Sequence, residues 1–314
     1  MRKFLLNSLL LAIPVIACAN AQAKPLKIGW VQGNATLQAG LTIRSGFLKY
    51  VADHNISDWD VTYLDSKGSA ELVASNIQDA VARGADVIFV QVADLRSSSA
   101  ALSAAAKANI PVFTIGSGVV NGNIVDITSN DWAMSSDVSA ALANKMGGKG
   151  NLVILTADSI QPVRARADSL RAVLKEFPNI KVIEDHSLKS GDFYQDAMNT
   201  MQDIATRYGS DINGVWTGWD EPAQAAVTVL KKAGLANVPV SGMDGLPFAL
   251  EAVCNPDSAF YVTSSQEFAT WGTRIAEFTQ KVADGEDPKT VNKGMRTSYT
   301  PTHLLTKESC PTKS

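Results

Sequence analysis

The chain has 314 residues, 46% hydrophobic and 19% charged, which is enough for two cores of ordinary domain size and excludes a disordered polymer. Its formal charge is −3 and its basic residues are scattered, so it carries no electrostatic footprint for nucleic acid.

Arg2 and Lys3 form a short cationic start, and residues 4–17 are apolar apart from Asn7, Ser8 and Pro14. Ala21-Gln22-Ala23 then has the small-x-small form that a signal peptidase cuts. Residues 1–23 are therefore expected to be a signal peptide that exports the protein. Val15-Ile16-Ala17-Cys18 supports a competing reading, a lipobox with Cys18 acylated after cleavage. Neither this stretch nor any later one offers the roughly 20 uninterrupted apolar residues of a spanning helix.

Apolar, β-rich runs follow at 26–31, 59–65, 86–92, 111–115, 152–156, 181–186, 214–217 and 238–243. Stretches of helical period lie between most of them, as at Leu41, Phe47, Leu48 and Val51, then at Leu72, Ile77, Ala80 and Val81. Continuous apolar strands alternating with amphipathic helices mean parallel sheets covered on both faces, an α/β doubly wound architecture. One sheet would need too many strands, so two parallel-sheet lobes are expected.

Three irregularities mark where the chain crosses between them. Residues 123–129 read as a strand with no helix before it, and helical pattern resumes at Asp131. The strand at 259–265 runs straight into a helix at 266–283, and the third irregularity is at 291–299. The expected division is an N-terminal lobe of 26–129 plus 267–292 and a C-terminal lobe of 130–266 plus 293–314, joined by a three-segment hinge. Ligands of open α/β sheets sit outside the carboxyl ends of the strands, so the residues just after each strand are the site candidates.

Cys18 falls in the signal segment, leaving Cys254 and Cys310 as an even pair in an oxidising compartment. A disulfide is expected, against two separate buried thiols. Little else carries chemistry. There is no Gly-x-Ser-x-Gly elbow, and His54, His186 and His303 lack metal-ligand spacing. Gly116-Ser117-Gly118 with Gly122 misses the dinucleotide spacing, and Gly147-Gly148-Lys149-Gly150 reads as a helix stop. No cofactor or metal is expected. Asp220-Glu221 suits capping and macrodipole roles at a helix start. Asp220 and Asp244 as acid and base of an exported carbohydrate hydrolase remain a competing reading, which needs carboxyl groups about 5 to 10 Å apart.

The residues at the strand ends carry a resemblance. Lys27-Ile28-Gly29, Gly46, Ala85-Asp86-Val87-Ile88, Ile110-Pro111-Val112, Ser129-Asn130-Asp131, Arg164 with Arg166, Trp219-Asp220-Glu221-Pro222-Ala223, Gly242-Met243-Asp244-Gly245 and Ser265-Gln266 occur in this order along the chain. Over residues 26–308 it thereby resembles the periplasmic sugar-binding proteins of ribose-binding type, relatives of the lac repressor's ligand-binding core. The regulator branch carries an N-terminal helix-turn-helix where this chain has its signal segment.

The resemblance implies a monomer that binds a small sugar or polyol between its lobes and closes about a hinge. A membrane permease of an ABC transporter reads the closed form, and a chemoreceptor is a second candidate reader. A sensor-only role is not separable from transport by sequence. The resemblance also implies ligand-facing roles for Gln91, Arg164, Phe193, Asp244 and Gln266, with Trp219 standing where ribose binders carry asparagine and Arg164 expected beside Asp244. A surface role for Arg164, a capping role for Asp244, core roles for Phe193 and Trp219 and purely structural roles for Gln91 and Gln266 are the alternatives.

Two departures stand out. Ala39-Gly40 replaces a pair of aromatics, and Gly116-Ser117 replaces an Asp-Arg pair, so the ligand is expected to be gripped differently from ribose: another sugar, a polyol or a sugar-like signal molecule. Ser117 stays a ligand-facing candidate, with Trp30, Asn34 and Gln38 as replacement contacts.

Overall fold

The computed structural model describes residues 25–189 and 191–310; the expected signal segment and Cys18 lie outside them. β1 (Leu26–Gln32) pairs in parallel with β2 (Trp59–Asp65) and β3 (Val87–Gln91), and the sheet continues through β4 (Val112–Ile115), β5 (Asp126–Ser129) and β11 (Thr297–Thr300). Successive residues of a strand point to opposite faces. Trp30 and Phe89 accordingly enter a core shared with α1 (Gln38–Asp53) and α9 (Phe268–Ala283), while Val31 and Val90 enter another with α2 (Ala70–Ala82) and α3 (Ser99–Lys107).

The second sheet repeats the plan. β6 (Lys149–Thr156) lies between β7 (Asn179–Ser187) and β8 (Gly214–Thr217), followed by β9 (Val240–Ser241), β10 (Phe260–Gln266) and β12 (Thr302–Thr306), the last antiparallel to β10. Its faces are covered by α4 (Asp131–Lys145) with α5 (Gln161–Leu174), and by α6 (Phe193–Tyr208) with α7 (Asp220–Lys232). Both sheets reverse strand order beside their first strand, so each has a topological switch point at its carboxyl edge.

Local signals fix several elements. Ser69, Asn130 and Asp192 cap α2, α4 and α6 by accepting from Leu72 N, Ala133 N and Gln195 N. α1 and α9 approach so closely that a Cβ at Gly46 would lie 2.0 Å from Ala269 O, and one at Gly272 1.9 Å from Ile43 O. That contact accounts for glycine at both positions.

The chain passes between the sheets at Asn130, at Glu267 and at Pro301. The third passage corrects the expected boundary at 292/293. Thr297 to Thr300 pair in register with Asp126 to Ser129, so this segment belongs to the N-terminal sheet, and only the residues from Thr302 onward join the C-terminal one. Pro301, unable to donate to either ladder, separates the two strands. The strand expected at 238–243 is regular only over Val240–Ser241, with Gly242 N and Asp244 N still bonding Val262 O and Ser264 O of β10.

The disulfide forms between Cys254 at the end of α8 (Pro247–Val253) and Cys310, with Cα atoms 5.5 Å apart and a sequence separation of 56. It pins the C-terminal segment to the second lobe. Removing both sulfurs (C254S with C310S) should lower unfolding free energy by about 4 kcal/mol in the loop-entropy account, read as an earlier denaturant midpoint; an unchanged midpoint would remove the bridge's structural role.

Asp126, on the strand that leads into the first passage, is buried and receives Ser117 N at 3.2 Å. Burial pushes its carboxyl up from 3.8 to about 6, against the pull of Thr114 and Ser117 and with a further push from Asp131. The folded state therefore holds a proton that the unfolded chain releases, so this stabilisation is complete below about pH 4 and is lost as pH rises through about 6. Relative to Asp126→Asn, the wild type should lose on the order of 2 to 3 kcal/mol between about pH 4 and pH 7 in urea titrations; a pH-independent difference would contradict it.

Candidate functional site

The carboxyl ends of the two sheets face each other across a cleft. From the N-terminal lobe, the turn after β1 delivers Asn34 and Leu37, and Val92 follows β3. From the other lobe come the start of α5, Trp219 after β8 and Asp244 after β9. Two of these residues have unusual backbones: Val92 has φ 45° and Asp244 φ 132°. Left-handed φ is uncommon for a β-branched residue and strains most side-chain-bearing residues, and such strain clusters at binding sites.

Arg166 is the organising side chain. It is 3% exposed and donates Nε to Asp131 Oδ1 at 2.8 Å, and Nη1 to Gly218 O at 2.9 Å and to Asp244 Oδ1 at 3.1 Å. Its Nη2 has no partner among the described residues. Gln266 donates to the same Asp244 oxygen at 2.7 Å, and its own Oε1 is buried without a partner among the described residues. Burial pushes the Asp244 carboxyl well above the ordinary range; Arg166 opposes that, while Asp220 and Glu221 add to it. Asp131 is likewise raised by burial and drawn down by Arg166.

Asp220 sits beneath this group. Its Oδ2 accepts Leu246 N at 2.8 Å and its Oδ1 accepts the Thr263 hydroxyl at 2.7 Å, and burial pushes its carboxyl up to about 7. Both oxygens are thus used in holding β8, β10 and α8 together.

Contacts between the lobes are few and more exposed. Arg164 reaches Asp94, with Nη1 to Oδ2 at 3.2 Å and Nη2 to Oδ1 at 3.4 Å, and also the carbonyl of Asp158. Arg96 binds Asp94 as well, and reaches Asp158 O at 3.2 Å. Asn34 Nδ2 donates to Gly191 O at 3.4 Å, and Gln38 N to Glu221 Oε1 at 3.2 Å.

These positions revise the sequence reading. The cationic neighbour of Asp244 is Arg166, two residues beyond Arg164; Arg164 turns instead to the facing lobe. Trp30 is not a cleft contact: it is fully buried in the N-terminal core, and its Nε1 donates to Gln91 Oε1 at 2.7 Å. Gln91 is held there under Gly40, where a Cβ would lie 2.4 Å from its Nε2. The Ser117 hydroxyl joins the ends of β3 and β4, donating to Val90 O and accepting from Ala93 N. Phe193 and Trp219 meet edge to face at 5.3 Å, both nearly buried; Trp219 Nε1 has no partner in strict hydrogen-bonding geometry among the described residues, though the Trp219 side chain pulls down the Glu221 carboxyl that burial raises.

Leu37, not singled out by sequence, crosses the cleft and packs into the core of the C-terminal lobe with Phe193 and Trp219. Around it an inner cavity of about 30 Å³ is bounded by Arg166, Trp219 and Asp244, and an outer one of about 470 Å³ opens past Phe193, Tyr194 and Glu221. The inner space holds about one water, so a sugar-sized ligand enters only when the lobes part.

Comparison with known proteins agrees with this architecture. The xylitol-binding protein of Mycolicibacterium smegmatis is 26% identical over 254 residues, covering 79% of this chain and 69% of that protein. The ribose import binding protein RbsB of Escherichia coli is 27% identical over 232 residues, covering 73% and 76% respectively. Among solved structures, an ABC transporter solute binding protein from Agrobacterium vitis with bound allitol has a TM-score of 0.81 at 25% identity, covering 91% of this chain and 97% of that one. The model of the periplasmic binding protein domain matches residues 21–287, and the chain belongs to that family.

Proposed function

We propose that the protein is the solute-binding component of an ABC-type importer, taking a small sugar or polyol between its lobes in the periplasm, without catalysis. The observation that carries this reading is the buried Arg166–Asp244–Gln266 group at the mouth of a cleft between two lobes joined by three passages. A guanidinium with a free donor edge, a carboxylate and an amide suit vicinal hydroxyls, and Trp219 with Phe193 suits the C–H face of such a ligand.

The hydrolase reading is disfavoured because both Asp220 oxygens and the Arg166-facing Asp244 oxygen are committed to structural partners. Export through the signal segment 1–23, a monomeric state, a permease as reader of the closed form and a chemoreceptor as a further reader complete the proposal. Lipid anchoring at Cys18 is its minor variant.

A thermal-shift screen of sugars and polyols followed by calorimetry tests it, because a ligand that binds only the folded state raises stability by RT ln(1 + [L]/Kd). Product formation from a disaccharide panel would support the hydrolase instead. With the ligand in hand, Asp244→Ala should weaken binding by about 10- to 100-fold, since it strips a hydroxyl partner and leaves Gln266 and Arg166 underused. Arg164→Ala should weaken it by no more than about fivefold, the worth of a partly exposed pair that acts on closure. Equal losses for the two variants would mean that Arg164 touches the ligand.

A further inference from the structure

The two walls of the cleft differ in chemistry. Every N-terminal-lobe side chain on the inner cavity is apolar: Leu37, Ala39, Val92, Phe268 and Trp271. The polar side chains there, Arg166, Glu221 and Asp244, all come from the other lobe, and so does the unpartnered Trp219 Nε1. Most polar groups of the N-terminal lobe beside that wall are already engaged, although the Gln91 Nε2 amide beneath Gly40 forms no hydrogen bond among the described residues. The Gln91 oxygen is taken by Trp30, the Ser117 hydroxyl by Val90 and Ala93, the Asn34 oxygen by Thr36 N at 2.9 Å, and the Asp94 carboxylate by Arg96 and Arg164.

A hydroxyl pressed on such a wall loses water and gains no side-chain partner, which a closed site registers as a penalty, whereas a C–H or methyl surface there gains contact. Building on the sugar or polyol reading above, we infer that the ligand is amphipathic: a deoxy or alkyl-substituted sugar or polyol whose hydroxyls face Arg166 and Asp244 and whose apolar edge faces Leu37, Val92 and Trp271. The selecting residues on the N-terminal side are Leu37 and Val92, which line the inner cavity and its narrow continuation toward Asp94.

Calorimetry with matched pairs tests this: D-ribose with 5-deoxy-D-ribose, L-galactose with L-fucose, L-mannose with L-rhamnose, and the corresponding alditols. In the pair that fits the stereochemistry, the deoxy member should bind about tenfold or more tighter than its parent. If in every binding pair the parent matches or exceeds the deoxy member, the inference falls while the sugar-binding reading stands. If no sugar or polyol in the wider screen binds at all, both fall. Val92→Asn supplies the second arm, because asparagine tolerates the left-handed backbone at this position and places an amide on the apolar wall. It should keep the thermal midpoint and move the preference by about tenfold toward the hydroxylated parent; a folded variant with unchanged preference overturns the inference, and Leu37→Asn gives the same readout should Val92→Asn fail to fold.

Discussion

One buried guanidinium holds the binding face of the C-terminal lobe together. Arg166 bonds Asp131, the first residue after the chain's first passage between the lobes; it bonds Gly218 at the end of β8; and it bonds Asp244, whose other partner, Gln266, immediately precedes the second passage. Two passages and two strand ends are therefore referenced to one side chain. Burying three charges is expensive, and removing one partner of such a group leaves another uncompensated at roughly 3 to 5 kcal/mol. The same group offers its free Nη2 edge to the cleft. Rigidity of the lobe and polarity of the site thus have a common origin.

The fold was legible because its signals are redundant. The central parallel strands are continuous apolar runs and the covering helices between them carry apolar stripes, so the two-lobe α/β architecture needs no single residue to be read correctly. The passages are less redundant. The one at Asn130 announces itself by a strand, a cap and a helix in direct succession, whereas the third rests on Thr297 to Thr300, a half-polar edge strand, and on Pro301. The proline was the available signal: a run that contains it cannot be one strand in the interior of a sheet. The length of β9 was not legible, since its flanks keep backbone hydrogen bonds to β8 and β10 but leave the regular ladder.

The site was legible by residue type more than by residue number. Arg164 and Arg166 lie two positions apart on α5, on different faces of a helix, and only one can look into the cleft. The stripe decides between them: Val163, Arg166, Ala167 and Leu170 recur at helical spacing and are buried together, so an arginine in that stripe is a buried arginine that must find carboxylates. Leu37 escaped notice because nothing marks a lone leucine in a turn as the residue that crosses to the other lobe. Trp30 misled for the opposite reason: its polar tip suggests a ligand contact, but its ring is buried in the N-terminal core and its Nε1 donates to Gln91 Oε1.

The contacts across the cleft indicate how the molecule would respond to a ligand. Asp94–Arg164, Arg96–Asp158, Asn34–Gly191 and Gln38–Glu221 are polar contacts at 3.2 to 3.4 Å with at least one exposed or half-buried member each. Pairs of this kind contribute about 0 to 1 kcal/mol apiece, and apolar contact comes from Leu37 and Val92 against the C-terminal core and from Leu246 and Phe248 against the N-terminal one. Against them stands the roughly 5.5 kcal/mol needed to carry a two-state equilibrium from 1:99 to 99:1. Closure by these bonds alone is therefore near balance. A ligand that first docks on the preformed polar face of the C-terminal lobe, and is then covered by Leu37 and Val92, supplies the remaining bias through contacts that exist only when the lobes are together. Because those late contacts are apolar, the strength of closure follows how well the covered edge of the ligand matches a dry wall, while the C-terminal lobe sets which hydroxyl pattern is admitted at all.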